Sequence, residues 1–414
     1  VSVKVGSFDV YNGWPGRLEL PWAADGLILW TVCQSEEGYL SHADFAGYTG
    51  DTGISVGLAD RISGNQQCIL SSSDQQAFAP YNRSSRGTFG DRIVARSRAP
   101  SATDPSDYLT IASWSRCGVH FSTIGTESYR VYYVAFAGAT LNTASGIVTM
   151  PADGSNGSVT GLSFDPSADP SLLIAVFGEG SDATGPGITS VGWADGTLEE
   201  QSQWFINYNN VGGSASGAAG IAGFTGGSGW NSNFVSFDST GFTLSQSAGG
   251  ADRPVLYLVL TDAAGAFHVD TAAWPTTSGS ITAPGFQPEA VLFSDYITGE
   301  EPTDGQITLG ATGAYPPNTT PITAAGLAGV GDTDNQRRWT AQETDTTDVL
   351  LDYVGDSGSE SGNVAFGGFT ADGFDWDGVA SGYAGDIRYA AILTSEVGQG
   401  AICRRGALPI LGVG

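Results

Sequence analysis

Gly285-Phe286-Gln287-Pro288-Glu289-Ala290-Val291-Leu292-Phe293 is the stretch that decides the fold class. An aromatic residue enters, a polar turn follows, and a dense apolar run leaves. A short apolar run bounded by turn residues reads as a buried strand, and Pro288 precedes it, where no ladder N–H is lost. The phrase occurs twice more. Trp22-Ala23-Ala24-Asp25-Gly26-Leu27-Ile28-Leu29-Trp30 aligns without a gap, and Phe164-Asp165-Pro166 leads through a slightly longer turn to Leu172–Phe177. One phrase used three times predicts a triplicated domain.

Further landmarks recur in the same order. Ser55-Val56-Gly57-Leu58-Ala59-Asp60 returns as Ser190-Val191-Gly192-Trp193-Ala194-Asp195 and as Thr308-Leu309-Gly310-Ala311. An apolar residue followed by Gly inside a strand marks a bulge or a close backbone approach. A weaker echo sets Gln before an aromatic residue, at Phe78, Trp204 and Trp339. The closing phrase starts at Gly118, Gly241 and Gly373 and then alternates apolar and polar residues, as a half-buried strand does. A last strand follows, centred on Tyr133, Tyr257 and Tyr389. The repeated residues Trp22, Phe164 and Phe286, with these glycines and tyrosines, are read as structural core.

The expected architecture is therefore all-β: three tandem, related antiparallel β-sandwich domains of jelly-roll-like type. Their bounds are 1–140, 141–263 and 264–397, followed by a tail, 398–414. Sixty Gly and 18 Pro put a turn signal every few residues and leave little room for long helices, while 41% hydrophobic residues suffice for packed cores. The stretches 101–107, 212–229 and 355–361 read as loops. The longest apolar runs, such as Val131–Ala137 and Val255–Leu260, have strand length, so no membrane insertion is expected. The chain begins at Val1 without Met, as expected where an initiator or leader has been removed, and no charged and apolar signal segment is expected to remain.

Forty-three acidic residues face 16 basic ones, a net charge of −27, and Lys4 is the one lysine. Nucleic acid is excluded as a partner, because neutralising phosphates needs clustered cations. A lysine-poor, acidic surface fits a protein that stays soluble in high salt, where self-repulsion is screened. A GC-rich genome also replaces Lys by Arg. Of the four cysteines, Cys33 and Cys117 read as small core residues, with a Cys33–Cys117 bridge as the alternative; Cys68 and Cys403 complete the set.

Candidate chemistry is sparse. His42, His120 and His268 belong to different neighbourhoods, so no triad or metal site assembles from them. The doublets Glu36-Glu37, Glu199-Glu200 and Glu300-Glu301 supply carboxylates of the type a glycosidase uses. All three are read as polar surface loops, at non-equivalent points of the repeats. Asp332-Thr333-Asp334-Asn335-Gln336 with Glu343 imitates an EF-hand, but Arg337 stands where Gly is needed. No cofactor is expected, and Asp-rich loops are the one candidate for calcium. Trp204, Tyr208 and Trp230, among Asn207, Asn209, Asn210, Asn231 and Asn233, combine stacking faces with amide groups and form a candidate glycan site. The alternative for Trp204 is the core, since Phe78 and Trp339 are its counterparts.

The Gly285–Phe293 phrase, followed by a Gly-Phe strand and a Tyr-centred strand, resembles a domain of structural proteins of tailed bacteriophages and archaeal viruses. The third copy matches best. The second matches at Asp238–Ser245 and Val255–Leu260, and the first diverges most, with Val119 after Gly118. The resemblance implies a non-enzymatic, β-rich module on the virion exterior: a head decoration, turret, tail-fibre or minor tail protein. Its implied partners are other virion proteins and further copies of itself in a homo-oligomer. A host-recognition adhesin for surface glycans and a polysaccharide-degrading glycosidase are the alternatives.

The charge yields a first test. Between about 0.1 M and about 1 M KCl the screening length falls from ~10 Å to ~3 Å. The thermal midpoint is expected to rise by several degrees over that range. A flat or falling midpoint would reject adaptation to salt.

Overall fold

The computed structural model describes residues 2–11, 13–32, 51–74, 83–96, 105, 107–125, 128–150, 155–178, 187–206, 214–218, 220–224, 230–246, 253–298, 305–313, 322–330, 338–343, 348–354, 359–378 and 386–397. Among the described residues every regular element is a β-strand. A first unit holds β1 (Val3–Val10), β2 (Arg17–Glu19), β3 (Gly26–Val32), β4 (Asp51–Asp60), β5 (Gln66–Asp74), β6 (Arg83–Phe89), β7 (Val94–Arg96), β8 (Asp107–Ser115), β9 (Gly118–Ile124) and β10 (Tyr129–Phe136). A second holds β11 (Leu141–Met150), β12 (Asn156–Val159), β13 (Ser171–Gly178), β14 (Gly187–Ala194), β15 (Glu199–Ile206), β16 (Ser214–Ala218), β17 (Ala222–Phe224), β18 (Trp230–Asp238), β19 (Gly241–Gln246) and β20 (Arg253–Asp262). A third holds β21 (Ala266–Ala273), β22 (Gly279–Ile281), β23 (Ala290–Thr298), β24 (Gly305–Gly313), β25 (Ile322–Val330), β26 (Arg338–Glu343), β27 (Asp348–Val354), β28 (Ser359–Thr370), β29 (Gly373–Gly378) and β30 (Asp386–Leu393).

Each unit pairs its strands identically. The first has a six-stranded sheet ordered β1-β10-β3-β4-β5-β6 and a four-stranded sheet ordered β2-β9-β8-β7; the other two repeat both orders. The last strand lies between the first and third, as in a jelly roll, while β3 to β6 and β7 to β9 run as plain meanders. Even an irregularity repeats. The ladder slips at Ile111/Ser113, at Phe234/Ser236 and at Phe366/Gly368, so each four-stranded sheet carries a β-bulge at the same place. Two of those strands, β16 and β17, fall in the Gly-rich 212–229 stretch expected to be loop. Small residues leave β16 without an apolar pattern, and its backbone ladder to β15 alone defines it.

The two sheets of a unit share one core. In the first unit Leu27, Leu29, Val131 and Tyr133 of the large sheet meet Leu18, Leu109, Val119 and Phe121 of the small one. The second closes Leu173, Ala175 and Phe177 over Phe242 and Leu244, and the third Val291 and Phe293 over Val349, Phe374 and Trp376. Trp22 is fully buried, whereas Phe164 and Phe286 are partly buried against their cores.

The recurring glycines answer to close approaches. A Cβ on Gly57 would collide with the Ile93 carbonyl oxygen, and one on Gly192 with that of Ile221, where the chain enters the small sheet. The hydroxyl two residues earlier secures that crossing: Ser55 Oγ accepts the Ala95 amide at 3.1 Å, and Ser190 Oγ the Gly223 amide at 3.1 Å. A Cβ on Gly118, Gly241 or Gly373 would strike the carbonyl of Leu18, Val159 or Ile281 on the neighbouring strand. The recurring tyrosines fill space that a missing side chain leaves. The Tyr133 and Tyr257 hydroxyls would stand 2.9 and 2.6 Å from a Cβ on the opposed Gly6 and Gly146. In the third unit Asp270 stands opposite Tyr389, and the two side chains hydrogen-bond.

The outer faces of the three large sheets meet each other in a fourth core, which includes Ile28, Trp30 and Tyr132 with Leu172, Ile174 and Leu258, and with Leu292, Leu309 and Ile392. The contacts run in one direction around it. β4 and β5 of the first unit pack on β11, β13 and β20 of the second. β15 and β16 of the second pack on β21 and β23 of the third, and β24 and β25 of the third pack on β1 of the first. Three head-to-tail contacts close a ring with threefold pseudosymmetry. The links 137–140 and 263–265, and residues 394–397, lie at one end, beside the Val3–Phe136 and Gly26–Asp60 pairs. The described strand ends Val32, Asp51, Gly178, Gly187, Thr298 and Gly305 lie at the opposite end.

Replacing Gly192 by Ala should therefore cost at least about 2 kcal/mol. Gly90→Ala, where the added carbon meets only Ile147 at 3.6 Å, should change stability by no more than about 0.5 kcal/mol. Urea unfolding of both variants checks the contrast.

Candidate functional site

The most elaborate polar chemistry lies at the linker end. Asp60, fully buried, accepts the Ser145 amide at 2.9 Å and the Ser145 hydroxyl at 2.8 Å across the junction of units one and two. Asp195, its counterpart, accepts the Val269 amide at 2.9 Å across the next junction. Ser145 and Val269 both sit one residue before the position facing the recurring tyrosine, and Val5 is the third such residue. Opposite Val5 stands Gly313, where a Cβ would come within 2.9 Å of the Val5 side chain. At this equivalent position two junctions use a carboxylate on a backbone amide, and the third uses close packing.

Three more buried carboxylates lock the ring. Glu289 accepts the Ser2 amide and the Thr394 hydroxyl, each at 3.0 Å. Ser2 Oγ donates to the Ser395 carbonyl at 3.1 Å and accepts the Val397 amide at 3.0 Å. Asp262 accepts the Ser395 amide at 2.7 Å and the Thr140 hydroxyl at 2.5 Å. Asp25 pairs with Arg61 at 2.5 Å, while its backbone carbonyl accepts the Thr143 hydroxyl at 2.9 Å. Burial raises the Asp25 carboxyl above its ordinary range, and the Arg61 guanidinium partly offsets this. Each carboxylate binds protein donors, so the cluster is a structural seam. Among the described residues no group of three or more His, Cys, Asp or Glu side chains could hold a metal.

The doublet Glu199-Glu200 requires a correction: it lies in strand β15, not in a surface loop. Strand alternation sends the two side chains to opposite faces. Glu199 accepts the Phe234 amide inside its own unit, and Glu200 pairs at 3.4 Å with the buried Arg388 of the third unit. This pair therefore does not converge on one cleft. Burial raises both carboxyls. For Glu199 the Phe234 amide opposes the shift, and for Glu200 the Arg388 guanidinium does. The other two doublets lie outside the described residues.

His120 sits half-buried on β9, and His268 Nε2 lies 3.7 Å from Asp270. His42 lies outside the described residues, as do Asp332 to Gln336. Glu343 ends strand β26, so the last position of the EF-hand-like segment lies in a strand and not at the start of a helix. Trp204 lies on β15 of the large sheet and Trp230 opens β18 of the small one, both near the loop end. Tyr208 and the placement of both indole rings fall outside the description. Cys117 is disulfide-bonded, which corrects its reading as a plain core residue; its partner lies outside the described residues. Cys68 is free, and burial pushes its thiol well above the ordinary range.

No protein-family model matches the chain, and no curated protein matches it.

The raised carboxyls have a definite sign. A carboxylate whose folded pKa exceeds its unfolded one binds more protons when folded. Its contribution to stability is full below the ordinary carboxylate range and is lost as pH rises through the folded value. Asp91 and Asp165 are shifted the other way, but both are mostly exposed and weigh less. Stability is expected to rise as pH falls from neutral toward the carboxylate range. Glu199→Gln, which keeps an oxygen for the Phe234 amide, should flatten that rise in thermal melts. An unchanged profile would show that Glu199 is not part of it.

Proposed function

We propose that this chain is a non-enzymatic structural component of a virus particle surface, a head decoration, turret or tail-fibre protein displayed on the particle exterior. The observation that carries the reading is polarity. Three equivalent units close a ring whose described turns at one end are short and hydrogen-bonded, while strand ends at the other, such as Val32 and Asp51, are separated by up to 18 residues of sequence. A surface protein of a particle needs such a division: a rigid base that seats on its support, and loops free to differ in length and sequence. The charge of −27 suits a soluble exterior in a salt-adapted host. Contact with a host surface glycan through the loop end is compatible with the positions of Trp204 and Trp230.

Mass spectrometry of purified particles of a virus that encodes this chain is expected to find it in stoichiometric amounts, retained through density-gradient banding. Its absence from banded particles would sink the proposal.

A further inference from the structure

Among the described residues, the turns at the linker end are short and strapped. Asp60 accepts the Ser63 amide at 2.8 Å, and Asp195 accepts those of Thr197 and Leu198 at 2.8 and 2.9 Å. Asp165 and Asp238 hold Ser167 and Thr240 in the same manner. The turns after Asp60 and Asp195 are counterparts, joining β4 to β5 and β14 to β15. Each carries a large aliphatic residue turned to solvent: Ile62 is 59% exposed and Leu198 43%. A single exposed aliphatic residue on a protein surface needs no explanation. Two on the same turn of successive units, at one end of a ring and beside rigid polar straps, are placed where a symmetric partner would meet them. The counterpart turn of the third unit, 314–321, lies outside the described residues.

Pseudosymmetry specifies the partner. The ring repeats one two-sheet unit three times around a common core, so a single chain stands where a homotrimer would otherwise be needed. We propose that the linker end seats, one chain per axis, on a threefold-symmetric site of a protein shell, with Ile62 and Leu198 as apolar contacts. The chain then has no need to trimerise, and the homo-oligomer expected from its sequence gives way to a monomer that carries its own threefold. This inference rests on the virion role proposed above.

The test uses particles of a virus that encodes the chain, reconstructed with icosahedral symmetry and with local symmetry released, together with counting of copies per particle. Density on threefold axes, with one chain per axis, is expected. The double variant Ile62→Asp/Leu198→Asp should lose at least about tenfold in particle occupancy, with an unchanged thermal midpoint. Val235→Asp, at an exposed bulge residue of an outer sheet, should remain at wild-type level. Density on fivefold, twofold or general positions, or wild-type occupancy of the double variant, overturns the docking proposal and leaves the virion role standing. Absence of the wild-type chain from particles overturns both.

Discussion

The large sheets are apolar on both faces, and the rest of the structure depends on that constraint. Along β3, Leu27 and Leu29 point into the unit, while Ile28 and Trp30 point into the shared centre. The same split divides Leu173 and Ala175 from Leu172 and Ile174, and Val291 and Phe293 from Ala290 and Leu292. Each Leu, Ile, Val or Phe among them contributes about 1.5–3 kcal/mol when fully removed from water. One small sheet covers only one face of a large sheet. The other face must find a cover of equal size, and in this chain it finds the other two units. The three units therefore form one cooperative body around a common core, and separating them would expose a surface as apolar as a protein interior.

A core of this kind is non-directional and does not fix how the sheets are oriented about it. Directional groups at the seams do. Asp60 and Asp195 fix the first strand of the following unit by its backbone amide, and Glu289, Asp262 and Asp25 bind the links where the chain passes between units. Leaving such amides unpaired in a dry seam would cost about 1–3 kcal/mol each, so a rotated or slipped arrangement is penalised at several points at once. At the third junction Gly313 packs on Val5 where the other two have an aspartate, and Glu289 takes the Ser2 amide instead. There Ser2, Thr394, Ser395 and Val397 close the ring by hydrogen bonds.

Much of this was legible in the sequence, at the level of strand character. The dense runs at Leu27–Trp30, Leu172–Phe177 and Ala290–Phe293 belong to sheets covered on both faces. The alternating phrases after Gly118, Gly241 and Gly373 belong to the outer sheets, with one face toward water. The Gly of the Ser-Val-Gly phrase marked a close approach, as its position inside a strand suggested, but the Ser carried a signal that was passed over: it binds the strand that crosses above it. Asp60 and Asp195 were likewise visible as the end of a repeated phrase. Their role was hidden because each acts on a residue more than 70 positions away. Glu199 and Glu200 misled because a charged doublet favours the surface, and nothing local announces that Arg388 and the Phe234 amide will receive it. A dense run states that both faces are covered, and it says nothing of what covers the second.

Ring closure also settles the exposed edges that a six-stranded sheet would otherwise present. An open edge offers unpaired amides and carbonyls to any passing strand. Here β1, β11 and β21 at one edge, and β6, β16 and β26 at the other, lie against strands of a neighbouring unit. Edges of the small sheets face outward and are blunted differently. β2, β7, β17 and β22 are three residues long and β12 is four, too short to template a partner strand. The longest, β27, has seven residues, and its ladder to β28 slips twice, at Asp348/Leu350 and at Asp352/Tyr353. A bulged edge twists away from the flat geometry that pairing requires. The short strands and the bulges thus do for the outside of the ring what closure does for its inside. They allow a chain made almost wholly of β-structure to be displayed without joining its neighbours by their edges.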